Sequence, residues 1–593
     1  MDAVKYRIIR TAEDLRLAVA ELSGCQAIGL DTETTELDPY SARLRLIQLA
    51  APDGVRIVDL DAWRGVDLRQ SQDFAPLRQL LGAPRPIKIA HNAKFDAKFI
   101  RYNLGIDFGG LFDTLLASQL VGAGDIEERH GLETVAERFL GVSIDKTERL
   151  SNWEFELSES QLEYAARDAA VLLPLREKLI EQLKHQSLVK CAQLEFECVL
   201  PVANLELNGF YLHRNRWREQ LAIVEQKRAG LADELQEILG KDSAQASLFG
   251  PPRANINLDS QPQVTEALAR MGIPLPDSTR NWKLQPLAAE YPVVATLLEY
   301  RTVQKALTSY GENIIEMINP VTGRLHADFR QIGAPTGRFS CTNPNIQQVP
   351  HAIEYRRCFS GHPEHRKLVI ADYSQIELRI LAEFSADRAF IDAFNSGADL
   401  HRTTAAQVFN VAVDEVTRSQ RDFAKRLNFG VVYGIGAQRF SLMTGLTTRE
   451  AEDVLRRYFA SYRRLDDYLR DAADRAVRER QARTASGRLV RFRYDDQDRQ
   501  QISMTQRNGK NTPIQGTSAD ILKRALRLLH DDLRDTSARI VNIIHDEIVV
   551  EVDEPEAQPI AARVERAMCA AGQEYLKTVP VKVETEIADE WVK

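Results

Sequence analysis

Residues 367–379 read KLVIADYSQIELR, and this stretch decides most of the fold. An apolar run from Leu368 to Ala371 ends in Asp372, so a buried β-strand should deliver a carboxylate at its end. Residues 540–552, IVNIIHDEIVVEV, read as two β-rich runs around an acidic turn that holds Asp546 and Glu547. Strand-like RLHADFR (324–330) precedes them, KLVIADYSQIELRIL (367–381) reads as strand-like beyond Asp372 as well, and mainly helical periodicity fills the chain from there to the second stretch. The expectation is a β-centred module with a helical insertion.

Two carboxylates from strands far apart in sequence can hold the two metals that nucleotidyl transfer needs. One metal activates a 3′-hydroxyl and one carries a triphosphate. By itself, an HDE hairpin also fits a polar turn. Inside the insertion, Arg421, Lys425, Phe429 and Tyr433 recur every four residues and form one slowly drifting helical stripe. The cations suit triphosphate oxygens and the aromatics suit base and sugar stacking. The plain alternative is an amphipathic helix. Gly434–Gly436 is too weak for a dinucleotide loop, and there is no Walker A motif.

The first ~185 residues alternate strand-like and helix-like segments, the pattern of an α/β domain. In AIGLDTETTEL (27–37), alternation puts Asp31 and Glu33 on one strand face. Asp96 follows a second strand in PIKIAHNAKFDAKFI (86–100). Tyr164 and Asp168 share a helix face at i and i+4, on a helix that Ser158 and Gln161 should cap. Four converging carboxylates repel unless cations neutralise them. Hard oxygen-seeking ions, Mg²⁺ above all, do so and can cleave a phosphodiester, with Tyr164 orienting the water. Taken singly, each motif also fits a solvated turn or helix face.

The 593 residues suggest three or four domains. With 44% hydrophobic and 27% charged residues, the chain is neither mostly disordered nor membrane-embedded. Six cysteines without a CxxC spacing argue against a disulfide framework or zinc site. There is no apolar leader at the N-terminus and no bilayer-length apolar run. The net charge of −8 is unevenly spread: residues 418–510 hold 21 Lys and Arg against 12 Asp and Glu. A basic segment of this kind can face phosphates.

Several motifs now carry a resemblance. DTETTELD, HNAKFD, FDTLLASQL and YAARDAAVL resemble the DEDD-type 3′→5′ exonuclease domain in its Tyr-bearing subclass. DYSQIELR, RxxxKxxNFGxxYG and HDE resemble motifs A, B and C of family A DNA polymerases. PTGRFSCTNPNIQQVP, DLHRTTAAQVF and RNGKNTPIQGTSADILKRA extend the likeness over essentially the whole chain, in a Klenow-fragment-like arrangement. The resemblance implies a multidomain α/β and α+β protein. An RNase H-like exonuclease domain (1–185) would precede a right-hand polymerase domain (186–593). The thumb would span about 190–320, the palm about 321–395 and 530–593, and the fingers about 396–529.

The same resemblance assigns roles. Asp31, Glu33, Asp96 and Asp168 would hold the exonuclease metals, and Leu37 and Asn92 would contact a frayed 3′ end. Asp372 and Asp546 would bind the polymerase metals, with Glu547 near the primer end. Lys425 and Arg421 would grip the triphosphate, with His401 and Gln375 assisting. Phe429 would meet the sugar, Glu377 would gate its 2′ position, and Tyr433 would sit near the templating base. Arg338, Arg507, Asn511 and Gln515 would touch primer–template DNA. Two Mg²⁺ per site, with Mn²⁺ as a substitute, dNTPs, a monomeric state and a cytoplasmic location follow as expectations. So does the lack of a 5′ nuclease.

Glu383, Phe384, Phe339, Cys341 and the ADEWVK terminus depart from the commoner family pattern and look closer to phage-borne and plastid-type relatives. Three other readings compete. A single-subunit RNA polymerase is opposed by Glu377 and the intact exonuclease acids. A decayed DNA-binding scaffold is opposed by the presence of all seven acids. A 3′→5′ exonuclease with a non-catalytic DNA-binding C-terminal half is opposed by the cation–aromatic stripe, which simple DNA binding does not need.

Overall fold

The architecture comes from a computed structural model that describes residues 4–592 except 126, 145–147, 149–150, 241–255, 275–277, 351 and 363–364. Gly250, Pro251 and Pro252, whose sequence marks a loop, lie outside the described residues.

β1 (Tyr6–Ile9), β2 (Ala27–Thr34), β3 (Leu44–Ala51), β4 (Gly54–Asp59), β5 (Ile87–Ala90) and β6 (Leu111–Asp113) form one sheet in the order β1-β4-β3-β2-β5-β6. β3 is buried along its whole length, as a central strand covered on both faces must be. α1 (Ala93–Leu104) follows β5, and α2 (Glu159–His185) crosses the sheet behind a Ser158–Gln161 capping box. A Cβ added at Gly29 of β2 would stand 2.3 Å from the carbonyl oxygen of Ala169. Strand and helix therefore touch backbone to backbone, and Asp168 is brought down onto the β2 acids.

The helical arm expected from about 190 begins differently. α3 (Val189–Asn208) is a shared wall: Cys198, Val202 and Leu205 pack into the C-terminal core, while Val199, Leu200 and Ala203 pack into the N-terminal core. Its sequence is apolar on more than one face, which suits a helix buried all round. The arm proper holds α4 (Arg214–Gly240) and α5 (Pro292–Tyr310), joined by a small core of its own around Leu235, Val264 and Leu297.

The hairpin strands β7 (Asp328–Arg330) and β8 (Ser340–Thr342) lead into β9 (Arg366–Tyr373). The strand-like reading past Tyr373 does not hold, because Ile376–Ser385 forms a helix, α6. Gln375, left-handed at φ 56°, turns the chain there, and the apolar spacing that follows is helical. The insertion contains α7 (Leu400–Phe409), α8 (Arg418–Val432), α9 (Arg463–Glu479) and the hairpin β10 (Gln481–Arg483)–β11 (Leu489–Arg491). It closes with α10 (Arg499–Asp532). The expected boundary at 529 falls inside α10, which starts in the insertion and ends packed on α3 and α11 (Ala557–Gln573). β12 (Arg539–Ile544), β13 (Glu547–Asp553) and β14 (Val583–Ala588) complete an antiparallel sheet in the order β12-β13-β9-β14. The β-centred module with a helical insertion is therefore present.

Candidate active sites

The first site gathers Asp31 and Glu33 from β2, Asp96 from the first turn of α1 and Asp168 from α2. Burial raises the proton affinity of Asp31 well above the carboxylate norm, and the charges of Glu33, Asp96 and Asp168 raise it further. Glu33 is raised for the same reasons, and burial pushes Asp96 up to about 7. Thr32 donates to Asp96 over 2.6 Å. The Tyr164 hydroxyl shares a hydrogen bond with Asp168, and burial drives its pKa up. Asn92, left-handed at φ 62°, precedes α1, and Leu37 is 80% exposed. Sequence reasoning missed the role of Asp113, whose buried carboxylate accepts from the backbone N–H groups of Ala93 and Leu115, 2.8 Å each. It fixes the start of α1 and with it Asp96. The N-cap pattern Asp113-Thr114 was the signal available.

The second site lies at the end of the C-terminal sheet. Asp372 pairs across the ladder with Glu547, and Asp546 occupies the intervening turn, its carbonyl accepting from Tyr373 N–H over 3.3 Å. Burial, then the charges of Asp372 and Glu377, push Asp546 up to about 7. Glu547 is buried and accepts from the Trp591 indole N–H over 2.9 Å. Glu377 is ion-paired with Arg338 and hydrogen-bonded to Tyr433, and burial raises its pKa.

On α8, Lys425 is exposed and Arg421 is held by Asp399 at 2.5 Å. Tyr433 caps the helix and is 43% exposed. His401 of α7 is buried with its ring 5.8 Å from Phe429. Asn428 lies 3.0 Å from its Nδ1, and burial lowers the imidazole to about 4. Asp399 and Asn428 were not singled out from the sequence. Gln375 lies half-buried in the turn between Asp372 and Glu377. Arg507, Asn511 and Gln515 share one face of α10. Asn511 donates to the Tyr433 carbonyl over 3.5 Å, and the Arg507 side chain lies against Gly434. The structure thus gathers Arg338, Glu377, Tyr433, Asn511 and Arg507 around the end of α8.

Among the described residues, no three His, Cys, Asp or Glu side chains are gathered tightly enough to hold an ion as they stand. The donor chemistry fits hard divalent cations all the same. Both sites offer oxygen ligands only, and both bury like charges that raise one another's proton affinity.

Two acidic centres on separate sheets, joined by α3 and α10, define an enzyme with a nuclease unit beside a polymerase unit. Residues 222–593 match DNA polymerase family A, and residues 6–184 match the 3'-5' exonuclease family. The chain is 32% identical to DNA polymerase I of Aquifex aeolicus, over 99% of this chain and 100% of that protein. It is 31% and 29% identical to the DNA polymerase I of Chloroflexus aurantiacus and of Pseudomonas aeruginosa, spanning 63% and 66% of their lengths. The solved polymerase domain of Pol1 from M. smegmatis, in complex with DNA primer-template and dNTP, superposes with a TM-score of 0.85 at 26% identity over 99% of each chain. The chain belongs to DNA polymerase family A and carries a 3′–5′ exonuclease domain. Its fold and its membership are those the motifs implied, and domains of both kinds depend on metal ions.

Proposed function

We propose that this enzyme extends a primer 3′-hydroxyl on a DNA template with dNTPs, and edits its own product from the 3′ end. The observation that carries the reading is the meeting of Asp372 and Asp546 with the Arg338–Glu377–Tyr433 cluster beside the α8 stripe. The M. smegmatis polymerase domain, solved with primer-template and dNTP, supports the choice of substrates.

Asp372 and Asp546 would hold one Mg²⁺ pair, and Asp31, Glu33, Asp96 and Asp168 a second, with Mn²⁺ able to replace either. When bound, the ions neutralise the buried carboxylates and make a hydroxyl or water a better nucleophile. Lys425 and Arg421 would bind the triphosphate, with Gln375 and His401 assisting. His401 is neutral at physiological pH and acts as a hydrogen-bonding group, not as a cation. Phe429 would stack on the sugar, and Tyr433 would close over the templating position. Glu377, held by Arg338, would fill the space of a 2′-hydroxyl and so reject rNTPs. Arg507, Asn511 and Gln515 would follow the duplex by its shape and backbone. Glu547 is committed to Trp591, so it would orient the β13 turn near the primer end. Tyr164 would orient the attacking water of the nuclease, while Leu37 and Asn92 would receive the frayed end. The domain limits we adopt are those of the sequence reading, except that α3 is assigned to the interface and not to the thumb, and α10 is shared between fingers and palm. A cytoplasmic setting is the one that the bacterial DNA polymerase I relatives support, and we take the enzyme to act as a monomer.

The test is a labelled primer–template with a terminal mismatch, Mg²⁺, and dNTPs added or withheld. Shortening without dNTPs and full-length product with them are expected. Asp372→Ala should abolish extension alone and Asp31→Ala shortening alone. Extension surviving Asp372→Ala would overturn the assignment.

A further inference from the structure

Behind the polymerase site lies a set of charges that no step above uses. Arg488 of the β10–β11 hairpin, Glu195 of α3, and Asp520 and Lys523 of α10 are all buried. Arg488 Nη2 donates to Asp520 over 2.9 Å and also to Glu195, which Lys523 contacts as well. Thr484 donates to Asp520 over 2.6 Å. Two positive and two negative side chains from three elements thus balance out of reach of water.

Burying such a network is a poor way to gain stability, because desolvation offsets most of the attraction. Its value lies in geometry, and the geometry points at one loop, between β7 and β8. Gln331, just after β7, donates to the Glu195 carboxylate over 2.9 Å. Gly337 lies on the Arg488 guanidinium: a Cβ there would stand 2.4 Å from Nε at a φ of +85°. Arg488 Nε and Nη1 are buried without a hydrogen-bond partner, and this unbonded face is the one that Gly337 covers. Lys523 Nζ sits 5.3 Å from the Phe339 ring centre, a cation–π hold on the next-but-one residue. The loop is closed internally by Gly337 N–H to Ala334 O at 2.8 Å and Gly333 N–H to Arg338 O at 3.0 Å. Between the two residues gripped from behind stands Arg338, which reaches forward to Glu377.

We propose that the Arg488–Glu195–Asp520–Lys523 network is a positioning device for Arg338, and through it sets how tightly Glu377 excludes a 2′-hydroxyl. Arg488 is a positioning residue. The inference rests on the reading of Glu377 as the sugar gate.

The experiment uses the full chain with Arg338→Ala, Arg488→Lys and the double variant. It measures kcat/KM for a dNTP and the matching rNTP on one primer–template, nuclease rate on single-stranded DNA, and melting temperature. Arg488→Lys keeps the charge but loses the planar face, and should reduce dNTP-over-rNTP discrimination on the order of tenfold. Nuclease rate should stay within about twofold. In the Arg338→Ala background Arg488→Lys should change discrimination no further. Equal effects of Arg488→Lys in both backgrounds would overturn the proposal, as would no effect in a folded single variant. If Arg338→Ala itself leaves discrimination intact, the gate reading fails and the inference falls with it, a result distinct from failure of the network alone. Should Arg488→Lys not fold, Thr484→Val, which removes only the hydroxyl held on Asp520, is read in the same two backgrounds by the same criteria.

Discussion

Replacing Trp591 with Phe should weaken the polymerase site through Glu547. The indole N–H donates over 2.9 Å to a carboxylate that is only 7% exposed, and the ring itself is fully buried. A hydrogen bond to a buried charged group contributes roughly 1.5–3 kcal/mol, and Phe cannot make it. Phe keeps an aromatic face, so the Arg356 guanidinium, 4.3 Å above the Trp591 ring, loses only part of its cation–π attraction. The missing pyrrole leaves a small void against Phe210 and Phe359. Together these give a stability loss of about 2–4 kcal/mol. Glu547 stands across the ladder from Asp372 and beside Asp546, so extension should slow on the order of tenfold while single-strand digestion persists. Urea unfolding of wild type, Trp591→Phe, Glu547→Gln and the double variant separates hydrogen bond from packing. With a neutral amide as acceptor the indole contributes less, so the Phe substitution should cost about 1 kcal/mol less in the Gln background. Equal costs in both backgrounds would show that Trp591 acts by packing alone.

Asp399→Asn retains the cap on α7 but loosens the 2.5 Å hold on Arg421. Freeing a half-exposed ion pair is worth roughly 0.2–1 kcal/mol, so KM for dNTP should fall by up to about fivefold, and a rise in KM would contradict the triphosphate role. His401 has a folded pKa lowered from 6.5 to about 4, so the unfolded chain binds its proton first. The stability this group contributes is fully present above pH 6.5 and is lost as pH falls toward 4. His401→Gln should flatten that part of the stability–pH curve, and an unchanged slope would exclude His401 as its source. Glu206 is buried, accepts from Lys94 over 2.6 Å and is ion-paired with Lys98 at 2.7 Å, the two residues that flank Asp96 on α1. Glu206→Gln should therefore depress digestion more than extension in parallel assays, with about 1.5–3 kcal/mol of stability lost; a selective loss of extension would refute the link.

What the sequence made legible was local and periodic. Asp31 and Glu33 could be placed on one face because β2 alternates, and Asp372 could be placed at a strand end because the run before it is apolar. The Arg421–Lys425–Phe429 spacing found a real helix, with Tyr433 at its cap. Legibility failed where partners lie far apart in the chain. Lys94 meets Glu206 and Asp328, Arg488 meets Glu195, and Glu547 meets Trp591, and none of these pairs has a local signature. The strand reading ran past Tyr373 because IELRIL is as apolar as a strand, and only the left-handed Gln375 marks the break. Glu383 looked like an unexplained departure, yet its carboxylate accepts from the N–H groups of Lys577, Thr578 and Val579 and ties α6 to the segment before β14.

The two catalytic units share more than a covalent link. α10 is 34 residues long, and at 1.5 Å per residue it reaches about 50 Å. Near its start Arg507 lies against Gly434, at the end of the cation–aromatic stripe of α8. In its middle Asp520 and Lys523 enter the network behind Arg338. At its end His530 lies 3.3 Å from Asp107 of the nuclease unit. α3 repeats the pattern: Glu195 belongs to the network behind Arg338, and Glu206, three turns on, holds the helix that carries Asp96. The same two helices therefore make contacts around both acidic centres, which neither sheet does alone.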